Sequence, residues 1–248
     1  MFATINHKGH TYKADLSKPI DISIPMSDHS ARAWYVDPIR IEPVRNGDWV
    51  GEVKQGGSVN FRNIFFNPHA HGTHTECVGH ISPEIESVNL SLANYFFIAE
   101  LVTVLPEQQD NGDYVITKKQ MEIVLADKKP EAVVLRTIAN PASKLEMNWS
   151  NTNPPYIDEE AMKFIISRGV DHLLLDLPSV DREVDGGKLL AHRAFWEYPE
   201  HTQFHRTITE FIYVPNDVFD GSYLLNLQVA PFENDASPSR PVLYRLVG

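Results

Sequence analysis

A single cysteine, Cys77, stands among 248 residues, so the chain forms no internal disulfide and a reducing compartment is expected. Basic residues are scarce, 22 Lys and Arg against 33 Asp and Glu for a net charge of -11, and no Lys/Arg cluster appears. That balance argues against a nucleic-acid surface, which needs a basic stripe. Long hydrophobic runs are missing too. The stretch Phe96 to Leu105 is far too short to cross a bilayer and contains Glu100, so no membrane partner is expected. The first residues, Met1 to His10, show neither the basic region nor the apolar run of a secretion signal, and the expected location is cytoplasmic. No repeat, low-complexity tract or like-charge block divides the chain. One domain over residues 1–248 is the expectation.

What is present is an ordinary globular composition, 42% hydrophobic and 22% charged. Strand-like runs occur at Asn60 to Phe66, Phe97 to Leu105, Val133 to Arg136, His172 to Leu175, Phe211 to Val214, Tyr223 to Val229 and Val242 to Leu246. Two helices are signalled. One starts at Thr117 with Gln120 three residues on, a capping box, and runs through Met121, Val124 and Leu125. The other has Asp158 as cap, Ile157 and Met162 as a hydrophobic staple, and Gly169 as its stop. Each is followed by a β-rich apolar run, the rhythm of β-α-β layers. The fold class expected is a sheet-rich α/β single domain with few helices.

The densest chemistry lies between His69 and His80, where twelve residues hold four of the eleven histidines and Glu76. Neutral imidazole is the commonest metal ligand, and several ligands from one segment make a preorganised site. His74 and Glu76 are two residues apart, so on an extended strand both point the same way and can share one ion. Gly72 permits a sharp turn. Cys77 offers either a thiolate ligand or a small buried filler. Further on, His192 is either a core histidine or a ligand, and Glu210 either pairs with Arg206 or binds metal. Together with His74 and Glu76 they would form a nitrogen and oxygen shell suited to zinc or manganese. The trio His74, Glu76 and His192 also satisfies the two-histidine, one-carboxylate pattern of non-haem iron oxygenases. Asp176, Ser179 and Asp181 invite a serine-hydrolase reading, but no Gly-x-Ser-x-Gly elbow occurs, so turn and loop duty is expected of them.

These residues resemble the cyclase family of metal-dependent hydrolases, which includes bacterial kynurenine formamidase (arylformamidase) and isatin hydrolases. The family signature, His-x-Gly-Thr-His-x-Asp-x-Pro-x-His, is matched by Gly72-Thr-His-Thr-Glu76 with His80. Collinear matches follow at Asp15 to Ile20, Val134 to Thr137, Asp176 to Asp181, Ala191-His192, Glu210 and Ser237 to Leu243. The resemblance implies a swivelling β/β/α fold, a homo-oligomer of two or more chains, and a small-molecule amide, formamide or lactam substrate. It implies one or two Zn²⁺ or Mn²⁺ ions on His69, His74, Glu76, His192 and Glu210. His80 is then the proton shuttle, or else a group that orients a ligand.

The departures are specific. In a gapless match the first signature histidine falls on Ala70, so an inserted residue must bring His69 into place, with His71 as the alternative. Glu76 replaces an Asp, which displaces the carboxylate by about one bond length and is expected to weaken a second metal position. Val78 replaces a Pro. The long gap between His192 and Glu210 contains His201 and His205, either of which can line the site, and Ser27 to Asn46 offers no clear counterpart of an early family loop. A relative that binds metal and a small ligand without turnover is the remaining alternative.

Overall fold

The parallel core follows from strands that are apolar on both faces. A computed structural model describes residues 1–247. We number the strands of its large sheet β1 (Phe2–His7), β2 (His10–Asp15), β3 (Ile20–Asp21), β4 (His74–Glu76), β5 (Phe96–Val104) and β6 (Ala132–Thr137). They continue as β7 (His172–Leu175), β8 (Thr207–Glu210), β9 (Gly221–Asn226), β10 (Ala236–Pro238) and β11 (Val242–Val247). The helices are α1 (Val88–Ser91), α2 (Lys118–Leu125), α3 (Glu159–Ser167) and α4 (Leu190–Trp196). The sheet order is β1-β2-β11-β9-β5-β6-β7-β8-β4-β10, with β3 paired to β11.

Strands β5, β6, β7 and β8 run parallel, linked through α2, α3 and α4, so the expected β-α-β rhythm is realised. Side chains of these strands divide by parity. Val102, Val133, Leu135 and Leu173 join Met121, Met162 and Phe195 of the helices in one core. Leu101, Val134 and Leu174 join Ile22, Leu225 and Leu243 in the other. Period-2 alternation with both faces apolar is what a covered parallel sheet requires. The mixed α/β architecture, with much sheet and four helices among the described residues, agrees with the expectation.

Both signalled helices form. Thr117 accepts from Gln120 N at 3.4 Å while Gln120 Oε1 accepts from Thr117 N at 3.0 Å, the reciprocal capping box. Asp158 Oδ1 accepts from Ala161 N at 2.5 Å, and Gly169, at φ +82°, lies just beyond α3. Other expectations need correction. The run at Phe211 to Val214 is not a strand; β8 ends at Glu210, because Phe211 turns to φ +55° and the following amides bond Leu177, Leu175 and Ile22 instead. The run at Asn60 to Phe66 does form a strand, Arg62–Phe65, paired with Arg40–Pro43 in a ribbon separate from the large sheet. Helix α4 was not signalled in the sequence, although it carries His192. Among the described residues no helix is long and apolar enough to cross a membrane.

Candidate metal centre

The site is assembled at β4, a strand only three residues long. Its position is fixed by the side chains between the histidines. Thr73 Oγ1 donates to Phe211 O at 2.5 Å and accepts from Ile24 N at 2.7 Å, and the hydroxyls of Thr75 and Thr209 meet at 2.7 Å. Gly72 is left-handed at φ +61°, and a Cβ there would stand 3.2 Å from Met26 Cγ. Alternation then sends His74 and Glu76 to one face and Thr75 to the other. In the antiparallel pairing of β4 with β8, Glu210 lies directly opposite His74, so both project to the same side. Glu210 sits at the C-terminal end of a parallel strand, the edge where ligand crevices of α/β sheets open.

His69 reaches the same place from a turn rather than through a bulge in a strand. Asn67 O accepts from Ala70 N and His71 N, both at 3.2 Å, and Asn67 Oδ1 accepts from His69 N at 2.9 Å. Turn residues do not alternate as strand residues do, so His69 and His71 part company. His69 Nδ1 lies 3.0 Å from Glu76 Oε2. His71 is occupied elsewhere: its Nδ1 accepts from Asn67 N at 2.9 Å and its Nε2 donates to Asp37 O at 2.8 Å.

Glu76 is the centre of the cluster. Its Oε1 stands 3.1 Å from His192 Nε2, while its Oε2 faces His69 at 3.0 Å and His80 Nδ1 at 3.9 Å. The longer side chain thus presents its two oxygens to different histidines. His74 Nε2 points at Glu210 Oε2 from 3.4 Å, and it is buried with no hydrogen-bond partner. Glu210 Oε1 accepts from Val180 N at 3.2 Å. The proposed pairing of Glu210 with Arg206 does not occur; Arg206 bonds Glu197 at 2.7 Å and lies 3.4 Å from Asp171.

Two carboxylates outside this ring hold its imidazoles. Asp181 Oδ2 lies 2.6 Å from His192 Nδ1, and Asp181 also accepts from Ala191 N at 2.8 Å and His192 N at 3.1 Å. Turn and loop duty therefore understates Asp181, which caps α4 and aims its histidine. Asp176 keeps a purely structural place, buried between Lys144 at 2.8 Å and Thr137 N. Asp235 Oδ2 lies 2.6 Å from His69 Nε2 and 3.8 Å from His80 Nδ1. Asp235 was not singled out in the sequence. It arrives because Cys77 N donates to Asp235 O at 2.9 Å beside β10, and because Gly79 has no side chain: a Cβ there would meet Asp235 Cβ at 2.9 Å.

The ionisation states follow from this packing. Burial opposes charge on His69, but Asp235 and Glu76 outweigh it and push its pKa up to about 10. His192, likewise buried, is pushed up to about 10 by Asp181 and Glu76. Burial raises Glu76, yet His80, His192 and His69 hold it well below the usual carboxylate range. Glu210 is raised, by burial first and by the charge of Glu76 second. Cys77 is no thiolate: burial pushes it up to about 11, and its thiol donates to Glu86 O at 3.6 Å, as a small buried filler would. Buried carboxylates resting on protonated imidazoles form a donor set that a divalent cation fits by replacing those protons. Three trios converge within metal-binding reach, His69/His74/Glu76, Glu76/His80/His192 and His69/His80/Asp235. The unpartnered His74 Nε2 is the atom most in need of one.

Above the cluster opens a cavity of about 380 Å³, walled by Trp34, Val36 and Leu189 and rimmed by Arg182 and Glu183. His80, 31% exposed, borders it. Trp34 lies within Ser27 to Asn46, and its only sequence signal was an aromatic pair, Trp34-Tyr35, in a polar loop. His201 and His205 stay outside; His205 bonds Asp171 at 3.1 Å on the surface.

The comparisons with known proteins agree with this architecture. No curated protein sequence matches the chain. Among solved structures, it is similar to a predicted metal-dependent hydrolase from Bacillus stearothermophilus, with a TM-score of 0.63 at 16% identity over 92% of this chain and 98% of that one. Isatin hydrolase A from Labrenzia aggregata gives 0.65 at 14% identity, covering 92% and 93%. Isatin hydrolase A from Ralstonia solanacearum gives 0.63 at 14%, covering 93% and 92%. At such identities the likeness is one of fold. The Cyclase family model ("Putative cyclase") matches residues 20–182, the segment that holds His69 to His80 and Asp181, and the chain belongs to that family.

Proposed function

We propose that the protein is a metal-dependent hydrolase that opens an amide, formamide or lactam bond of a small molecule, in the manner of an arylformamidase. The observation that carries this reading is His74 Nε2, buried 3.4 Å from Glu210 Oε2 with no hydrogen bond made, amid a convergent set of nitrogen and oxygen donors beneath an open cavity. Family membership and the isatin hydrolases among the structural relatives support it. His69, His74, Glu76, His192 and Glu210 would hold one or two ions of Zn²⁺ or Mn²⁺. A divalent cation bound there supplies positive charge for a carbonyl oxygen and lowers the pKa of water toward about 7.

The remaining chemistry belongs to the side chains. His80 Nδ1 is 3.9 Å from Glu76 and 3.8 Å from Asp235, beyond hydrogen-bond distance of either, and its ring borders the cavity, where it would relay a proton between water and the leaving nitrogen. Trp34, Val36 and Leu189 exclude water from one side of a bound ring. We also propose a homo-oligomer. The ribbon of Arg40–Pro43 and Arg62–Phe65 exposes Ile41, Ile64 and Phe65, and an isolated two-stranded ribbon is marginal in water.

The test combines elemental analysis of protein purified without chelators with turnover of a panel of aryl formamides, lactams and cyclic amides, before and after metal reconstitution. Metal in at least one site per chain and metal-dependent hydrolysis are expected. Absence of metal with no gain on reconstitution would sink the reading. Turnover that needs ferrous iron and oxygen would point to an oxygenase. A loaded protein inert across the panel would point to a binding protein.

A further inference from the structure

The stretch Asp181 to Leu189 carries an acid at every second position, 181, 183 and 185, and each accepts from different donors. Asp181 serves α4 and His192, as described. Asp185 accepts from Gly187 N at 2.7 Å and Leu189 N at 2.6 Å, folding the far end of the stretch on itself. Glu183 reaches outward. Its Oε1 accepts from Asn151 N at 2.6 Å and from the Tyr35 hydroxyl at 3.1 Å, and its Oε2 accepts from Asn153 N at 2.9 Å.

Those partners belong to two other segments, Trp34 to Val36, of which Trp34 and Val36 line the cavity while Tyr35 faces outward, and the turn around Asn151. Both segments are held in left-handed backbone, with φ of +61° at Trp34, +62° at Tyr35, +63° at Asn151 and +47° at Asn153. Residues with a Cβ adopt that region at a cost and stay there only where surrounding bonds fix them. Glu183 provides three such bonds, and Ser150 Oγ adds a fourth by accepting from Tyr35 N at 2.9 Å. The Asp181–Leu189 stretch is also a partition. On one side lies the cavity over the histidines, about 380 Å³, and on the other a second cavity, about 400 Å³, beside Asp113 and Tyr156. From that second side Arg182 is tied to Asp113 at 2.9 Å, so the partition is anchored on both flanks.

We propose that Glu183 is a positioning residue, a clamp that, through Tyr35, holds the lining residues Trp34 and Val36 to the partition and to the Asn151 turn and so fixes the shape of the substrate cavity. The clamp rests on the hydrolase reading only for what the cavity contains. With one carboxylate accepting three donors, its loss releases two backbone amides and one hydroxyl at once, and the wall that faces a bound ring loses its brace.

Hydrogen–deuterium exchange and metal content of the full chain test this in wild type, Glu183→Ala, Glu183→Gln and Tyr35→Phe. In Glu183→Ala the amides of Asn151 and Asn153 should exchange about tenfold faster, the scale set by a net hydrogen bond. Amides of Ala132–Thr137 in β6 and the metal content should match wild type. Glu183→Gln, which keeps one acceptor oxygen, should fall between, and Tyr35→Phe should speed exchange chiefly at the wall. On any amide that is hydrolysed, Glu183→Ala should raise KM severalfold with kcat within about twofold. Unchanged exchange at Asn151 and Asn153, or a loss of protection that spreads through β6, overturns the proposal. If no amide is hydrolysed, the hydrolase reading fails while exchange and metal content still decide the clamp.

Discussion

Asp181 Oδ2 and His192 Nδ1 meet at 2.6 Å, and the same carboxylate caps the helix on which His192 rides. One residue therefore fixes both the orientation of the ring and the direction of the backbone beneath it. Nε2 of His192 is left facing Glu76 Oε1 at 3.1 Å. Asp235 acts on His69 from the opposite ring nitrogen, again at 2.6 Å. The cluster is thus a central carboxylate between two imidazoles, each braced from outside by another carboxylate.

That arrangement predicts the cost of removing a brace. Asp181→Ala should lower metal affinity by roughly 10–100-fold, the usual range for an outer partner of a metal-binding histidine. Titration of zinc into chelated protein with a competing indicator measures it. Affinity equal to wild type would show that His192 needs no brace or binds no metal.

Which parts of this were legible in the sequence depends on how local their causes are. The caps at Thr117 and Asp158 and the shared face of His74 and Glu76 are decided within a few residues, and the sequence displays them. Phe211 to Val214 misleads because β-propensity is a weak preference, and the bonds to Leu177, Leu175 and Ile22 override it. His192 was visible as a residue but not as part of a helix, since the cap of α4 comes from Asp181, ten residues before the amide of Ala191. Asp235 and Glu183 owe their importance to contacts across the fold, 166 residues to His69 and 148 to Tyr35, which no spacing rule encodes. His69 was preferred to His71 in the sequence, and the turn at Asn67 is what separates the two rings.

Glu76 should be sensitive to both charge and length. Its two oxygens face His192 at 3.1 Å and His69 at 3.0 Å. Glu76→Gln keeps the shape but removes the charge, and metal affinity should fall because a cation loses its anionic ligand. Glu76→Asp keeps the charge but draws the carboxylate back by a methylene to the shorter reach of the family's Asp, so occupancy of a second metal position should rise. Metal titration of the three proteins decides the matter. Identical curves would remove Glu76 from the ligand set.

Metal-free protein should lose stability on the alkaline side. His69 and His192 both have folded pKa values raised from 6.5 to about 10. A group bound more tightly by its proton in the folded state stabilises fully below its unfolded pKa, and that contribution disappears as pH climbs through the folded value. The window is therefore about pH 6.5 to 10. Thermal melts of chelated protein should show Tm falling across it, whereas metal-loaded protein, whose imidazoles carry no such protons, should fall much less. Parallel curves for the two forms would mean that the histidines are not protonated as the packing requires.

His80 should separate from the ligands by what its removal leaves intact. It is the most exposed histidine of the cluster, at 31%, and its Nδ1 stands beyond hydrogen-bond distance of both Glu76 and Asp235. A ligand in such a position would be a loose one, whereas a proton carrier needs access to water and freedom to turn. His80→Ala should accordingly keep most of the metal and lose turnover by roughly 10²–10⁴-fold, the usual worth of a positioned general acid/base. His74→Ala offers the contrast: its Nε2 is buried at the centre, no neighbour replaces it, and metal and activity should disappear together. Metal content and kcat measured on the same preparations make the comparison. If His80→Ala loses metal in step with activity, His80 is a ligand; if it keeps both, the proton passes through another group, and Asp235 at 3.8 Å is the nearest to examine.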